Sequence, residues 1–394
     1  MHRHHFLALL AIMLLLSACS SPRPLTSERI TGMEPGFYGN VSYYALPRTV
    51  IVIDVEVQRS TKTPGPYAEY AKTYLGLNDV IFSPSHHYEI TTVSVNGFAE
   101  PDPEHVYAIF FPEENAQGFR FSLNEAGLLH SVNKKVDAPE NQTAFVESKD
   151  YGVYHTDATF NYFMDSILKE QVDTIIETVP LDTITLQRQT LRRSWVEKSK
   201  DLRAKEVADY ILEMREKKFD LISGFQEINY SKEALEYMYT EMDNMESDYL
   251  DLFTGITSEE TIHYRFVHRP DKEDIVRRHA LFRFSSKGGV KPVDADEGFA
   301  ATIAYNRSKA TDKILEQNTR HAPARRQSEK GIHYRIPEYA DMFFYIGEEK
   351  RAEARTLVSQ FGIVTHLPAK DLEIELHPMS GSIKSAGIIT EEDE

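Results

Sequence analysis

The chain has 394 residues, enough for two or three domains. Lys plus Arg is 44 against 61 Asp plus Glu, a net charge of −17, so it lacks the basic face that nucleic acid requires. A single cysteine rules out a disulfide framework, a thiolate zinc site, an iron–sulfur cluster and a dithiol pair, while 41% hydrophobic and 11% aromatic residues belong to a folded chain.

The N-terminus reads as a leader. Met1-His2-Arg3-His4-His5 is a short basic segment, and Phe6 to Leu16 is wholly apolar. That run falls short of the roughly 20 residues a bilayer-spanning helix needs and suits a signal-peptide core. It ends Leu16-Ser17-Ala18-Cys19, like the lipobox at which a bacterial lipoprotein is acylated and cleaved. Residues 1–18 are therefore expected to be a lipoprotein signal peptide, with Cys19 the lipid attachment site. Residues 19–40, with Pro22, Pro24 and Pro35-Gly36, read as a tether.

The first folded unit spans 41–150 as a mixed α+β domain. Ile51, Ile53, Val55 and Val57 alternate with Asp54 and Glu56, a half-buried strand. After Pro64-Gly65-Pro66, a stripe of Tyr67, Tyr70, Ala71, Tyr74 and Leu75 predicts a helix closed by Gly76. Further strands are expected at 87–95, 105–111 and 127–132.

Residues 151–257 read as a helical region. Ala204, Val207, Ile211, Met214 and Leu221 follow helical spacing, with Lys218 interrupting. A second helix runs from Ser231, an N-cap, to Gly255. Its seam is Leu235, Met238, Met242, Met245, Tyr249 and Leu252. The two helices should form an antiparallel hairpin.

From residue 258 the period returns to two. Ile262, Tyr264 and Phe266 alternate with His263, Arg265 and Val267, and Ala280, Phe282 and Phe284 follow, which together read as a β-hairpin. Strands at 333–336, 342–346, 355–364 and 372–376 complete a β-sandwich-like domain over 258–390, with residues 307–330 a polar loop and 391–394 an acidic tail. No internal repeat is evident. The fold class expected is α+β, with β-rich ends around a helical hairpin.

Several ordered segments carry a resemblance. Tyr44-Ala45-Leu46-Pro47-Arg48-Thr49 leads into Val50–Val57, and Pro64-Gly65-Pro66-Tyr67 into Tyr74-Leu75-Gly76-Leu77. Later come Leu252-Phe253-Thr254-Gly255, Glu260-Thr261-Ile262-His263-Tyr264, Leu281-Phe282-Arg283-Phe284-Ser285, Gly331-Ile332-His333-Tyr334-Arg335-Ile336-Pro337 and Gln360-Phe361-Gly362. Together they resemble the domain-of-unknown-function family 4831 of exported Bacteroidetes proteins, over about residues 42–385. The resemblance implies export and a shared architecture, but no reaction and no catalytic residues. Surface lipoproteins of such bacteria carry acidic residues just after the lipidated cysteine. Ser20-Ser21-Pro22-Arg23-Pro24 has none, so an outer-membrane location facing the periplasm is expected, with the cell surface as the alternative.

Candidate chemistry is sparse. Met238, Met242 and Met245 offer thioether sulfur for copper, but the helix seam accounts for them equally well. Glu260-x-x-His263 and His86-His87 lie in strand-like stretches, where the members of each pair face opposite ways. Ser131-x-x-Lys134 lacks the helical setting and the Lys-Thr-Gly partner that its catalytic namesake needs. No metal site and no cofactor are therefore assigned. The most distinctive cluster is basic: Arg265, Arg277, Arg278, His279 and Arg283, with Arg269, Lys272, His263 and His268 beside them and Asp271, Glu273 and Asp274 opposed. Guanidinium groups suit phosphate and carboxylate, so this segment is the candidate for binding an anionic glycan, a lipid headgroup or an acidic partner. The alternative is pairing with the protein's own acidic surface. Asp165-Ser166-Ile167, Asp173-Thr174-Ile175 and Asp182-Thr183-Ile184 resemble acceptors for O-glycans.

The sequence thus leads to an envelope lipoprotein with a non-catalytic binding or scaffolding role. Its partners are the membrane, through the N-terminal lipid, and an envelope protein or an anionic glycan. A hydrolase acting on glycan or peptide is the alternative, and glycan capture on tyrosine or Trp195 platforms is a third.

Overall fold

A computed structural model describes residues 26–30, 41–110, 120–134, 154–155, 159–162, 167–181, 184–223, 230–317, 331–367 and 372–389. The leader, Cys19 and the acidic tail lie outside them.

The protein is α+β and β-rich. In chain order the strands are β1 (Thr26–Arg29), β2 (Val41–Thr63), β3 (Ser85–Phe110), β4 (Phe121–Leu123), β5 (Leu129–Val132), β6 (Tyr154–His155), β7 (Leu168–Leu181), β8 (Ile184–Glu197), β9 (Ile256–His268), β10 (His279–Ser285), β11 (Gly289–Lys291), β12 (Phe299–Arg307), β13 (Ile332–Ile346), β14 (Glu349–Leu367), β15 (Leu372–Leu376) and β16 (Ile383–Ile388). A short helix at Ala71–Leu75 and two long helices, Lys200–Ser223 and Lys232–Thr254, complete the framework. Four antiparallel arrays result: β1-β3-β2-β9-β6, β11-β10-β12-β13-β14, β16-β15-β5-β4, and a separate β7-β8 ribbon.

Two cores lie between these sheets, and the same long strands run through both. The larger gathers Ile51, Ile53, Val55 and Val57 of β2 with Phe282, Ile303, Met342, Phe344 and Phe361. The second gathers Tyr44 and Leu46 of β2 and Tyr107 and Ile109 of β3 with Leu129, Ile332, Ile374 and Leu376. The strands bend where they pass from one core to the other. Between Ala45↔Val106 and Pro47↔Pro101, a step of two residues on β2 is matched by five on β3. Between Ile336↔Ile363 and Glu338↔Val358, the same mismatch separates β13 from β14. Extra residues of this kind bend a strand and raise its local twist, and proline, which cannot donate to a ladder, is tolerated there. Pro47 and Pro337 each follow a Tyr-x-Leu/Ile sequence, Tyr44-Ala45-Leu46 and Tyr334-Arg335-Ile336. Two hairpins with one kind of bulge thus face each other, a repetition too short to stand out as a sequence repeat.

The extra residues clamp this waist reciprocally. Those of β14 reach β2: Gln360 Oε1 accepts the Thr49 N–H at 2.9 Å and its Nε2 donates to the Thr49 carbonyl at 2.8 Å. The Ser359 N–H donates to Thr49 Oγ1 at 2.9 Å. Those of β3 reach β13, where the buried Asp102 carboxylate meets the buried Arg335 guanidinium. Gly362 is required by close approach, because a Cβ there would lie 1.9 Å from the Ile336 carbonyl oxygen.

The two long helices form the expected hairpin over a third core of Tyr67, Ala71, Ala204, Val207, Ile211, Tyr249, Leu252 and Phe253. Ser231 caps the second helix, its Oγ accepting the Ala234 N–H at 3.3 Å. Lys218 interrupts the apolar stripe because it is paired at its half-buried position, 2.8 Å from Glu246. Met242 packs against this core, whereas Met245 is exposed. The hairpin docks on the sheets where the Tyr67 N–H donates to the Leu252 carbonyl at 2.8 Å. Gly255 adopts φ 87° there, and a Cβ would lie 2.5 Å from the Thr63 carbonyl oxygen.

Several expectations are corrected. Residues 168–197 within the expected helical region form the β7–β8 ribbon, because Val172, Thr174, Ile175 and Ile176 favour the pleated backbone. The tether contains a strand, since β1 pairs with the end of β3. The stretches around 264 and 282 do not pair as a hairpin. β9 lies along β2, while β10 lies between β11 and β12 in the facing sheet. Strand pairing therefore crosses the boundaries drawn at 150 and 258, and residues 41–110 share both main cores with residues beyond 258. Of the polar loop at 307–330, residues 318–330 lie outside the described residues, while residues 312–317 are helical.

Candidate functional site

Several members of the basic cluster are paired on folding. Arg265 grips Asp54 across the β9–β2 pair, Nε to Oδ1 at 2.6 Å and Nη2 to Oδ2 at 3.1 Å. Arg283 donates to the carbonyls of Val293 at 3.1 Å and Gly298 at 2.8 Å. Arg278 lies 3.3 Å from Glu348 and stacks over Tyr345, 4.2 Å from the ring centre. Arg277 is exposed on the loop before β10. Arg269 is held by Glu100, which also takes Arg48. Arg265, Arg269, Arg278 and Arg283 are thus engaged by the protein's own acids and carbonyls.

What the same segment does bring together is His268, Asp274 and His279. The buried parity of β9 runs Tyr264, Phe266, His268, so a histidine occupies the place where the pattern calls for an apolar side chain. It is 4% exposed. Asp274 sits on the 3-10 turn Glu273–Ile275 and is buried. That turn is locked reciprocally. Asp271 Oδ1 accepts the Glu273 N–H at 2.7 Å and the Asp274 N–H at 3.2 Å, and Asp274 Oδ2 accepts the Asp271 N–H at 2.9 Å. His279 opens β10, half-exposed. His268 Nε2 lies 3.0 Å from Asp274 Oδ2, and His279 Nδ1 lies 3.6 Å from Asp274 Oδ1. One ligand-capable atom from each residue falls within 4.8 Å of the other two. Burial is the chief cause that lowers the His268 pKa, against the opposing pull of Asp274. Tyr305 stacks beside His268 at 5.9 Å, its buried hydroxyl without a hydrogen-bond partner among the described residues. Burial and the Asp274 charge raise its pKa, keeping it a phenol. All three residues of the cluster are visible in the sequence as members of the basic segment. Their joint meaning depends on β9 and β10 lying in facing sheets, which spacing alone does not show.

The other motifs fall into structural places. Glu260 is buried beside Arg59 while His263 faces Glu56 at 3.5 Å on the other side of β9. His86 and His87 are both exposed at the start of β3. Ser131 lies in a strand, donating to the Lys134 carbonyl at 3.2 Å, while the Lys134 ammonium goes to Glu375 at 2.7 Å. A Ser–His contact does exist: Ser27 Oγ is 2.7 Å from His333 Nδ1. Ser27 is 2% exposed, however, and its hydroxyl donates to the Gly331 carbonyl at 2.6 Å, so it locks β1 to β13 out of reach of a substrate. Of the O-glycan acceptors, Asp173-Thr174-Ile175 is exposed on β7, while Asp165, Ser166, Asp182 and Thr183 lie outside the described residues.

One further surface went unread in the sequence. In the β7–β8 ribbon, cross-strand partners share a face. Glu170 opposes Trp195, Val172 opposes Arg193, Thr174 opposes Leu191, Ile176 opposes Gln189, and Leu168 opposes Glu197. Leu168, Trp195, Val172, Leu191 and Ile176 therefore line a single face, alternating between strands, and all five are exposed. Lys169, Gln171 and Asp173 lie on the opposite face. Among the described residues neither outer edge of the ribbon is paired.

A family model described as a domain of unknown function, DUF4831, matches residues 39–384. No curated protein and no solved structure matches the chain.

Proposed function

The chain belongs to the DUF4831 family, whose description assigns no activity, and we propose that it is a non-catalytic binding or scaffolding lipoprotein of the cell envelope. Lipid on Cys19 holds it at the outer membrane, facing the periplasm, and the β7–β8 ribbon is the element that meets its partner. The observation that carries this reading is the exposed apolar row Leu168–Trp195–Val172–Leu191–Ile176, crossed by the Glu170–Arg193 pair, on a two-stranded ribbon whose outer edges are unpaired among the described residues. A hairpin with no third strand and no covering layer is marginal in water, and a row of large exposed apolar side chains marks a contact surface. The occupant that fits is a protein bringing an extended segment, which adds to an open edge and covers the row. The family-like segments favour a structural reading of the rest: Tyr44, Thr49, Arg335, Gln360 and Gly362 build the waist rather than a cleft.

A photo-crosslinker placed at Val172 or Leu191 in intact cells should capture one defined protein, and the same group at Gln171 on the polar face should not. Leu191→Asp should abolish the capture while leaving the thermal unfolding midpoint unchanged. Equal crosslinking from both faces, or products containing only a second copy of this chain, would overturn the reading. The anchor is tested separately. Cys19→Ala should release the protein from membranes, and retention of the variant after a salt wash would contradict lipid attachment.

A further inference from the structure

We propose that His268, Asp274 and His279 form a binding site for a divalent transition-metal ion, with His268 Nε2, an Asp274 carboxylate oxygen and His279 Nδ1 as the ligands. This goes beyond the ribbon and does not depend on it. Two imidazoles and one carboxylate are a donor set that zinc, iron(II) and manganese(II) accept. At metal–ligand bonds near 2.1 Å, ligand atoms in a tetrahedral shell stand about 3.4 Å apart. His268 Nε2 stands 3.0 Å from Asp274 Oδ2 and His279 Nδ1 stands 3.6 Å from the other oxygen, Oδ1, and one ligand atom from each of the three residues lies within 4.8 Å of the other two. Turning the half-exposed His279 side chain toward the carboxylate oxygen that already faces His268 would bring the three ligands onto one centre.

The placement is that of a built site. His268 and Asp274 are buried, while His279 is open to solvent, so an ion has a path in along His279. The Asp271–Asp274 turn fixes the carboxylate before any ion arrives. Tyr305 stacks beside His268 and walls the site on that side. Three protein ligands leave a coordination position for a water. The competing account is that Asp274 serves only to close its own turn and to accept from two histidines.

The test uses the purified full chain, stripped with chelator and titrated with zinc, then with cobalt(II) as an optical probe. The wild type should retain one equivalent of zinc after dialysis and give cobalt bands of low-coordinate geometry. His279→Ala changes a half-exposed residue, and Asp274→Asn keeps an oxygen to close the turn. Each should weaken zinc binding by at least about tenfold, as loss of a ligand costs no less than loss of an outer-shell partner. Arg277→Ala, in the same loop, should bind as wild type. Failure of the wild type to hold zinc at micromolar concentration would overturn the proposal. So would unchanged affinity in both ligand variants.

Discussion

Breaking the waist clamp at Asp102 should unsettle both main cores at once. Burial works against each charge, pushing the Asp102 carboxyl up and the Arg335 guanidinium down. For Asp102 the hydrogen bonds from His105 at 2.9 Å and from the Glu104 N–H at 3.0 Å, together with the Arg335 charge, more than reverse this, and its pKa falls from 3.8 to about 2. A shift of that size is worth about 2 kcal/mol of folded-state stability. For Arg335 burial still prevails, so the intact pair contributes less than that figure, while removing one member leaves the other charge buried alone. Asp102→Asn should therefore cost about 3–5 kcal/mol. Asp102→Asn with Arg335→Met should cost less than the two single changes added, by about 1–3 kcal/mol of coupling. The assay is guanidinium unfolding followed by circular dichroism. Fluorescence of the single tryptophan is unsuited, since Trp195 is exposed on the ribbon. A cost under 1 kcal/mol for Asp102→Asn, or strict additivity in the double variant, would refute the clamp. The pH dependence follows in sign. A carboxyl whose pKa is depressed on folding contributes fully above its unfolded value near 3.8 and loses that contribution as pH falls through about 2. The Asn variant should lack this part of the acid slope.

Other expected outcomes probe separate parts of the fold. Gly362→Ala should prevent soluble expression, because its Cβ meets the Ile336 carbonyl, whereas Gly387→Ala on β16, with nothing within 4 Å, should express normally. Ile53→Ala, fully buried in the larger core, should cost about 3–4 kcal/mol in denaturant unfolding. Glu338 is wholly buried and accepts the N–H groups of Ala310 and Thr311 at 3.0 Å and the hydroxyls of Ser308 and Thr311. Glu338→Gln turns one acceptor atom into a donor that faces those donors, and a loss of about 2 kcal/mol in thermal unfolding is expected.

Elements with a strong local period were legible in the sequence. The alternation at Ile51–Val57 and the caps at Ser231 and Gly255 are properties of a few adjacent residues, and the structure keeps them. Pairing was not legible, because it is decided by bulges and by partners far along the chain. Tyr264 and Phe282 read as one hairpin, yet their strands belong to facing sheets, and Phe266 stacks on Phe282 across the core at 4.2 Å. The ribbon was missed because Lys169, Glu170 and Asp173 dilute its apolar row, which emerges only when two strands interleave. The arginines were seen but not their partners, since Asp54 and Glu348 lie in distant segments. His268 was legible as charge, not as the buried end of a core row beside Asp274.

Residues 41–110 and residues beyond 258 form one folding unit, joined by bent strands that pass through both main cores. Native-state hydrogen exchange, read by mass spectrometry under rising denaturant, reports on that unity. Val50–Val57 of β2, Tyr264–Phe266 of β9 and Met342–Phe344 of β13 should open with one common free energy, and Asp102→Asn should lower all three equally. Independent opening of β2 while β13 stays protected would contradict a single folding unit.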